Sequence, residues 1–445
     1  RADQVDPESG TVFRFSGAQS RQTGRKIEEP IAILQREGEH PDSIRKRAKQ
    51  FYARALQDPA TGSLEAVELM NEASEPVENS VDFHPDSGGL LGEARPFNLM
   101  FKTSVGPVEN DEVVYLRPET AQAIFVQFKN VLDTSRQKLP FGICQIGKAF
   151  RNEVTPRNYT FRSREFEQME LEFFIRPDEI VEKQAGPLAR VTAGLDLSEP
   201  QPDWGWEAWH KYWVEERLKF YESIGLGRET LEEYWQKKEE LAHYAKATVD
   251  ILYKFPFGAQ ELEGIAARGD FDLLQHQKHS GKSMEYFDQE TGARYVPHVI
   301  EPSAGVDRLI LALICNAYHE EQVTDENGKS ATRVLLQFHP RVAPIKVGVF
   351  PLLKNKPELV KKALEVRDLL RPHLGLFYDE AGSIGRRYAR QDEAGTPFGV
   401  TIDFDTVGEN GPEKKDTVTL RHRDTQAQER LKISELLPRL LAAVQ

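Results

Sequence analysis

The sequence is poor in cysteine, lacks long apolar runs and carries no excess of positive charge, and each shortage removes a class of function. Its two cysteines, Cys144 and Cys315, lie far apart inside apolar stretches with no second cysteine beside either. That spacing excludes a disulfide framework and a paired-cysteine zinc site, and both residues read as buried free thiols. No segment approaches the roughly 18 consecutive apolar residues of a membrane span, and no charged-then-apolar leader opens the chain. A cytosolic protein is expected. The formal net charge of -13 argues against one broad basic face that coats nucleic acid, while leaving a local basic patch open. Lys282 lacks the spaced upstream glycine of a phosphate loop, so no Walker-type nucleotide site is expected.

What is present suffices for a large core. With 39% hydrophobic and 29% charged residues over 445 positions, about two or three domains are expected. Residues 1–95 are polar and broken by Gly, Pro and Asp, with one helical stretch over Ser43–Leu56, and read as an inserted subdomain. The chain opens at Arg1-Ala-Asp-Gln and not at methionine, so an upstream part is expected to be missing. Residues 96–176 alternate apolar segments of strand length with short turns. Residues 177–242 change to amphipathic helices carrying all five tryptophans, of which Trp206, Trp209 and Trp213 form a packing stripe. Strands return over 243–340 and end in a helix from Val306. That helix is apolar on all sides over Leu309–Cys315 and is expected to be buried; Asp325–Ser330 follows as a loop. Residues 341–445 alternate strands and helices, as in Ile345–Phe350 followed by Pro357–Leu370, which predicts a separate α/β domain.

The densest chemistry lies in Phe141–Phe174. Phe141–Glu153 reads as a strand, Phe161–Phe174 as its antiparallel partner and Val154–Thr160 as the turn between them. Alternation places Arg162, Arg164, Phe166, Gln168, Glu170 and Glu172 on one face and turns Met169, Leu171 and Phe173 toward the core. Two cations, an aromatic ring and then carboxylates suit phosphate, a base and an ammonium group in that order. Arg151 and Glu153 share a face of the first strand and offer a cation followed by an acceptor. A solvated sheet face with cross-strand ion pairs fits the periodicity equally well. Farther on, Val299, Glu301 and Ser303 alternate onto one face ahead of Gly305, and Arg308 in the first turn of the apolar helix needs an anion. A structural salt bridge at that helix start is the competing reading. In Leu116-Arg-Pro-Glu-Thr-Ala-Gln122, Glu119 fits the first turn of a helix, where an acid is favoured. Asp133–Lys138 reads as a polar turn, and Arg268-Gly-Asp270 as a coincidental cell-adhesion tripeptide.

Taken together, Leu116–Gln122, Gln145–Glu153, Phe161–Glu170, Glu301–Arg308 and Gly382–Tyr388 resemble the class II aminoacyl-tRNA synthetases, specifically the dimeric type of glycyl-tRNA synthetase. The likeness runs from about Arg95 to the C-terminus. It implies an α+β catalytic domain built on an antiparallel sheet, the class II synthetase fold, with insertions, followed by an α/β anticodon-binding domain. It also implies ATP-dependent attachment of glycine to tRNA(Gly) through a glycyl-adenylate, with Mg2+, in a cytoplasmic homodimer. By this resemblance Arg151 holds the α-phosphate, Glu153 accepts from the adenine amine, Phe166 stacks on the base and Arg162 or Arg164 takes the terminal phosphates. Arg308 lies over the other face of the ring near the γ-phosphate, and Glu261, with Leu262 beside it, places Mg2+ and ATP. Asn152, Phe161, Gly305 and Asp307 complete the expected ATP site. Glu119, Glu170, Glu301 and Ser303 line the expected glycine pocket, joined by Phe166, Glu167, Gln168, Met169, Gly305 and Arg1. No editing site is expected for so small a substrate.

In the C-terminal part, Arg386, Arg387, Arg390, Arg421 and Arg423 supply the local basic patch, with Tyr388 and Phe398 as candidate base-stacking rings. The chain departs from the family in three respects. The first signature motif, which supplies much of the dimer interface, is not found; Asp307 stands where most class II enzymes have glutamate; and zinc-binding cysteine pairs are absent, so no zinc is expected. A synthetase-like accessory protein that binds nucleic acid without catalysis is the alternative. The joint presence of Arg151, Glu153, Phe166 and Arg308 argues against it.

Overall fold

Most contacts in the chain fall within one or the other of two units, residues 1–97 and 98–445. The structure, a computed structural model, describes residues 98–106, 113–192, 194–324 and 330–445. Within the first unit it describes 11–15, 17–20, 24–27, 31–35, 38–56, 68–69 and 72–76. Arg1 and positions 325–329 of the expected loop lie outside the described residues.

In the first unit an antiparallel sheet takes the order Ile31–Leu34, Thr11–Phe15, Glu72–Pro76. The helix Pro41–Leu56 packs beside it because Ile44, Ala48, Tyr52 and Leu56 recur every fourth residue and are all buried, against Phe15 and Ile33. The Tyr52 hydroxyl, too deep to meet water, donates to the Phe15 carbonyl at 3.1 Å.

The second unit is organised by a six-stranded antiparallel sheet. Its strands are β1 (Phe141–Phe150), β2 (Glu165–Ile175), β3 (Leu231–Trp235), β4 (Ala247–Phe255), β5 (Gly258–Gly269) and β6 (His298–Gly305), in the spatial order β3-β4-β5-β6-β2-β1. One face packs on α3 (Trp206–Ser223) and α5 (Val306–Ala317), through Ile251, Ile265 and Ile300 with Trp209, Leu218 and Ala312. The other packs on α1 (Ala121–Ser135), α2 (Asp178–Ala185) and α4 (Phe271–Ser280), through the ring cluster Phe125, Phe128, Phe141 and Phe174 with Ile180 and Leu273. The expected tryptophan stripe is core: Trp209 is buried, and Trp206 and Trp213 pack against the same cluster. Leu231–Trp235, expected within a helical region, adds an edge strand instead. Asp133–Ser135, expected in a turn, is the last part of α1, which ends at Arg136 with φ 52°.

Two burial expectations fail. The apolar run Leu309–Cys315 buries one side only, since Ile310 and Ile314, four residues apart, are 50% and 43% exposed. Leu309 and Ala312 face the sheet. Cys144 is exposed because it points outward from β1, an edge strand, and Cys315 is half-buried.

After the hairpin β7 (Tyr318–Thr324) and β8 (Ser330–Leu336), the C-terminal part forms a five-stranded sheet flanked by helices. Strands β9 (Val347–Pro351), β10 (Leu376–Tyr378) and β11 (Phe398–Ile402) are parallel, and β12 (Thr417–His422) and β13 (Gln428–Lys432) add on antiparallel, in the order β10-β9-β11-β12-β13. Helices α6 (Pro357–Leu370) and α8 (Ile433–Val444) bury Leu359, Ala363, Val366, Leu436 and Leu440 against it.

Helix α7 (Ile384–Ala394) carries much of the expected basic patch, and here the expectation is corrected. Arg387, Arg421 and Arg423 are buried. Arg387 donates to the carbonyls of Pro351 and Leu352 at the end of β9, and Arg423 to those of Gly395 and Phe338. Arg421 forms a two-pronged bond with Asp392 at 2.8 and 3.0 Å, and Arg333 of the β7–β8 hairpin reaches the same carboxylate at 2.8 Å. Tyr388 packs on Gly399 and bonds Thr401, and Phe398 is core. Backbone carbonyls, the buried Asp392 carboxylate and, for Arg423, the exposed Asp424 carboxylate take up these cations, and of the five arginines only Arg386 and Arg390 are exposed. Among the described residues no helix is long and apolar enough to cross a membrane.

Candidate active site

The face of β2 that carries the even-numbered residues grades from solvent to core. Phe166 is half-buried, Gln168 and Glu170 are buried, Glu172 is wholly buried and Phe174 lies in the ring cluster. At the open end a cleft is lined by Arg151, Glu153, Arg162, Phe166, Glu261 and Arg308, with Phe161, Gln168, Ser303, Gly305 and Asp307. The strand β1 ends at Phe150, so Arg151 and Glu153 sit just beyond it, where the chain turns. Arg151 is anchored by Nε to the Pro118 carbonyl at 3.2 Å, lies 3.5 Å from the Glu119 carboxylate and faces the Phe166 ring at 5.4 Å. Arg308 enters from the first turn of α5, stacks on the Phe161 ring at 4.5 Å and donates to the carbonyls of Phe161 and Glu261. Two guanidinium groups from separate motifs thus each face a ring, Arg151 that of Phe166 and Arg308 that of Phe161, in a polar cleft suited to a phosphate ester with a flat heterocycle.

Deeper along the same face the charge reverses. Glu170 accepts from Thr120, Gln168 and Ser303, the last at 2.9 Å. Burial pushes its carboxyl up, opposed by the Thr120 bond. Glu301 takes both of its short bonds from Arg268, at 2.7 and 2.8 Å, and the same guanidinium pairs with Asp272. Burial raises Glu301 to about 7, against the lowering effect of Arg268. With Glu119 above and Glu172 below, this acid array is matched to a small cation presented from the cleft.

Residues 101–192 match the family model described as "tRNA synthetase class II core domain (G, H, P, S and T)", and residues 346–443 match "Anticodon binding domain". A glycine–tRNA ligase from Thermus thermophilus is 49% identical over 427 residues, covering 89% of this chain and 77% of the relative. One from Clostridium kluyveri is 51% identical over 354 residues, covering 79% and 68%, and one from Rhodopirellula baltica is 41% identical over 461, covering 97% and 80%. The chain belongs to the glycine–tRNA ligase family. Its class II core is the antiparallel sheet with helices, and its anticodon-binding domain is the five-stranded sheet.

Within this glycine–tRNA ligase fold the expected residues divide by what they touch. Arg151, Glu153, Phe161, Arg162, Phe166, Gln168, Glu261, Ser303, Gly305, Asp307 and Arg308 line the cleft. Glu119, Glu170 and Glu301 belong to the acid array. Several others serve the frame. Leu262 and Met169 pack into the core, Asn152 donates to the Asn98 carbonyl, and Arg164 donates to the Glu153 carbonyl across the turn. The Glu167 amide donates to Asp307 at 2.7 Å, which ties the start of α5 to β2; a shorter acid than the expected glutamate suffices for that strut. Glu119 precedes α1 instead of lying in its first turn, and pairs with Arg151. Thr120, Arg268 and Asp272 were not expected. Arg268 looked like part of a surface tripeptide, yet it is 4% exposed, and only the fold brings Glu301 beside it.

Proposed function

We propose that the chain activates glycine with ATP to form glycyl-adenylate and transfers the glycyl group to tRNA(Gly). The observation that carries this reading is the gradation from the cleft arginines Arg151, Arg162 and Arg308 past the Phe166 ring to the buried acids along the even face of β2. ATP fits across Arg151, Phe166 and Arg308, with Glu153 facing the base and Arg162 the terminal phosphates. Arg151 would then stand where charge grows on the α-phosphate oxygens as the glycine carboxylate attacks, which is where a fixed cation contributes most. The glycine ammonium fits the acids Glu119, Glu170 and Glu301, with Ser303 beside the α-carbon. Crowding by these buried side chains excludes larger amino acids.

Mg2+ suits Glu261, whose side chain is 52% exposed at the cleft. Among the described residues no group of three or more His, Cys, Asp or Glu could hold a metal ion, and the nucleotide phosphates would complete a shell begun at Glu261. Bound there, Mg2+ would offset phosphate charge.

A homodimer is part of the proposal. Ile146 on the edge strand β1 is 70% exposed, and Val126 on α1, 57% exposed, lines an open groove between α1 and β1 that includes Cys144 and Ile143. An uncovered apolar sheet edge invites a second copy. Light scattering is expected to give twice the chain mass. The functional test is glycine-dependent exchange of pyrophosphate into ATP, and stimulation by another amino acid in place of glycine would sink the assignment.

A further inference from the structure

Glu172 does not line the ATP cleft, yet it is wholly buried, and among the described residues neither of its carboxylate oxygens has a hydrogen-bond partner. Its surroundings are charged. Glu170 lies two residues before it on the same face of β2, the strand register brings Glu301 of β6 alongside, and Arg268 of β5 and Asp272 of α4 complete the group. From β1 the register partner is the apolar Ile143. Beyond these, Glu119 acts on Glu301, Tyr244 stacks on Arg268, and His276 packs against Phe125. Arg268 is the cation of this group, and it is committed to Glu301 and Asp272. A buried carboxylate with neither a donor nor a cation of its own is far too costly to persist ionised. Burial, reinforced by Glu301, accordingly holds the Glu172 carboxyl well above the usual carboxylate range.

We infer that Glu172 is a positioning residue for amino-acid binding that stores a displaceable proton in the acid array. An ammonium group seated against Glu170 and Glu301 replaces that proton as the array's positive charge. The inference rests on the reading of this array as the glycine site. The exchange balances: a neutral carboxyl group and an entering ammonium become a carboxylate–ammonium pair, and one proton leaves to solvent. No bond to carbon changes. An opposite charge within a few ångströms favours the ionised carboxyl, so the array gives up its proton more readily when occupied than when empty. Linkage then requires glycine to bind more tightly as pH rises through neutrality, because binding and proton release share one equilibrium. Glutamine at this position keeps the shape and the neutral state but has no proton to release.

The test is calorimetry of glycine binding to the full chain near neutral pH in two buffers of different ionisation enthalpy. The expected release is on the order of half a proton or more per site for the wild type, and clearly less for Glu172→Gln. In pyrophosphate exchange, the wild-type KM for glycine is expected to fall about tenfold between pH 6 and 8, and that of Glu172→Gln less than about threefold, with kcat not following the same curve. Glycine binding without proton release by the wild type would overturn the inference, as would an identical pH profile in the variant. Should Glu172→Gln fail to fold, the wild-type calorimetry decides alone. Absence of glycine-dependent exchange at every pH defeats the glycine reading itself, whereas exchange without proton release defeats only the role of Glu172.

Discussion

Replacing Arg151 by alanine separates a catalytic role from a structural one, because the two predict opposite balances of rate and stability. In the folded protein Arg151 makes one bond to a carbonyl, at 3.2 Å, and a long contact with Glu119, at 3.5 Å between side chains that are 32% and 31% exposed. A single half-exposed pair of that kind is worth about 0–1 kcal/mol, so the variant is expected to unfold within about 1 kcal/mol of the wild type. If the same guanidinium stands where charge grows on the α-phosphate, its loss costs about 3–4 kcal/mol of transition-state stabilisation, or about 10²–10³ in kcat. Arg151→Lys keeps the charge but not the planar fork, and a loss of about tenfold is expected. Glycine-dependent pyrophosphate exchange measures the rate, and thermal unfolding with and without ATP measures the fold. An exchange rate for Arg151→Ala within about threefold of wild type would refute the argument, and so would a large loss of stability that accounts for the inactivity.

Other predictions concern charges that the fold buries. Asp392→Asn leaves Arg421 and Arg333 without their shared carboxylate, and urea unfolding is expected to show a loss of about 3–5 kcal/mol in the C-terminal transition; a loss below about 1 kcal/mol contradicts the pairing. Glu172 and Glu301 are both raised above the ordinary carboxyl value of 4.5, Glu301 to about 7. Their contribution to stability is therefore complete below that ordinary value and is lost as pH rises through the folded value, so the thermal midpoint is expected to fall between about pH 5.5 and 8.5, and less in Glu172→Gln. A midpoint that rises over that range contradicts the assignment. Arg386→Ala is expected to weaken tRNA binding and lower the salt slope of log affinity by about one, while Arg423→Ala loses stability instead; the reverse pattern in a salt titration would reinstate the five-arginine patch. Phe174→Ala removes a ring from the centre of the α1 side of the sheet and is expected to cost about 3–5 kcal/mol, read by the same unfolding assay.

Periodicity made much of the frame legible. The helix Pro357–Leu370 and the antiparallel pair β1–β2 follow from apolar spacing that the tertiary fold has no cause to override, and β6 places Val299, Glu301 and Ser303 on one face as alternation requires. The failures have a common physical origin. Alternation reports which residues share a face but not what lies opposite, so the even face of β2 read equally as a ligand surface or a solvated one, although it passes from the cleft at Phe166 into the core at Phe174. The same blindness made Leu309–Cys315 look buried on every side and Cys144 look buried at all. Whether an apolar side chain is covered depends on its strand's place in the sheet, and β1 is an edge.

Arginine exposes this limit most clearly, and the structure supplies what the residue name does not. Arg268, Arg421 and Arg333 meet their carboxylates at 2.7 or 2.8 Å, Arg387 donates to backbone carbonyls, and Arg423 divides its donors between backbone carbonyls and Asp424 at 2.7 Å. In the cleft the ion pairs are longer: Arg151 to Glu119 at 3.5 Å and Arg308 to Glu261 at 3.6 Å. A guanidinium has five donors in a rigid fork, and short two-pronged pairs use them up. Where the protein's own acids stand back by nearly an ångström, the charge is positioned but not neutralised, and an entering phosphate can displace the partner at small cost. By that criterion the cleft arginines are poised for an anion and the buried ones are struts, a distinction that follows from distance and burial rather than from residue type.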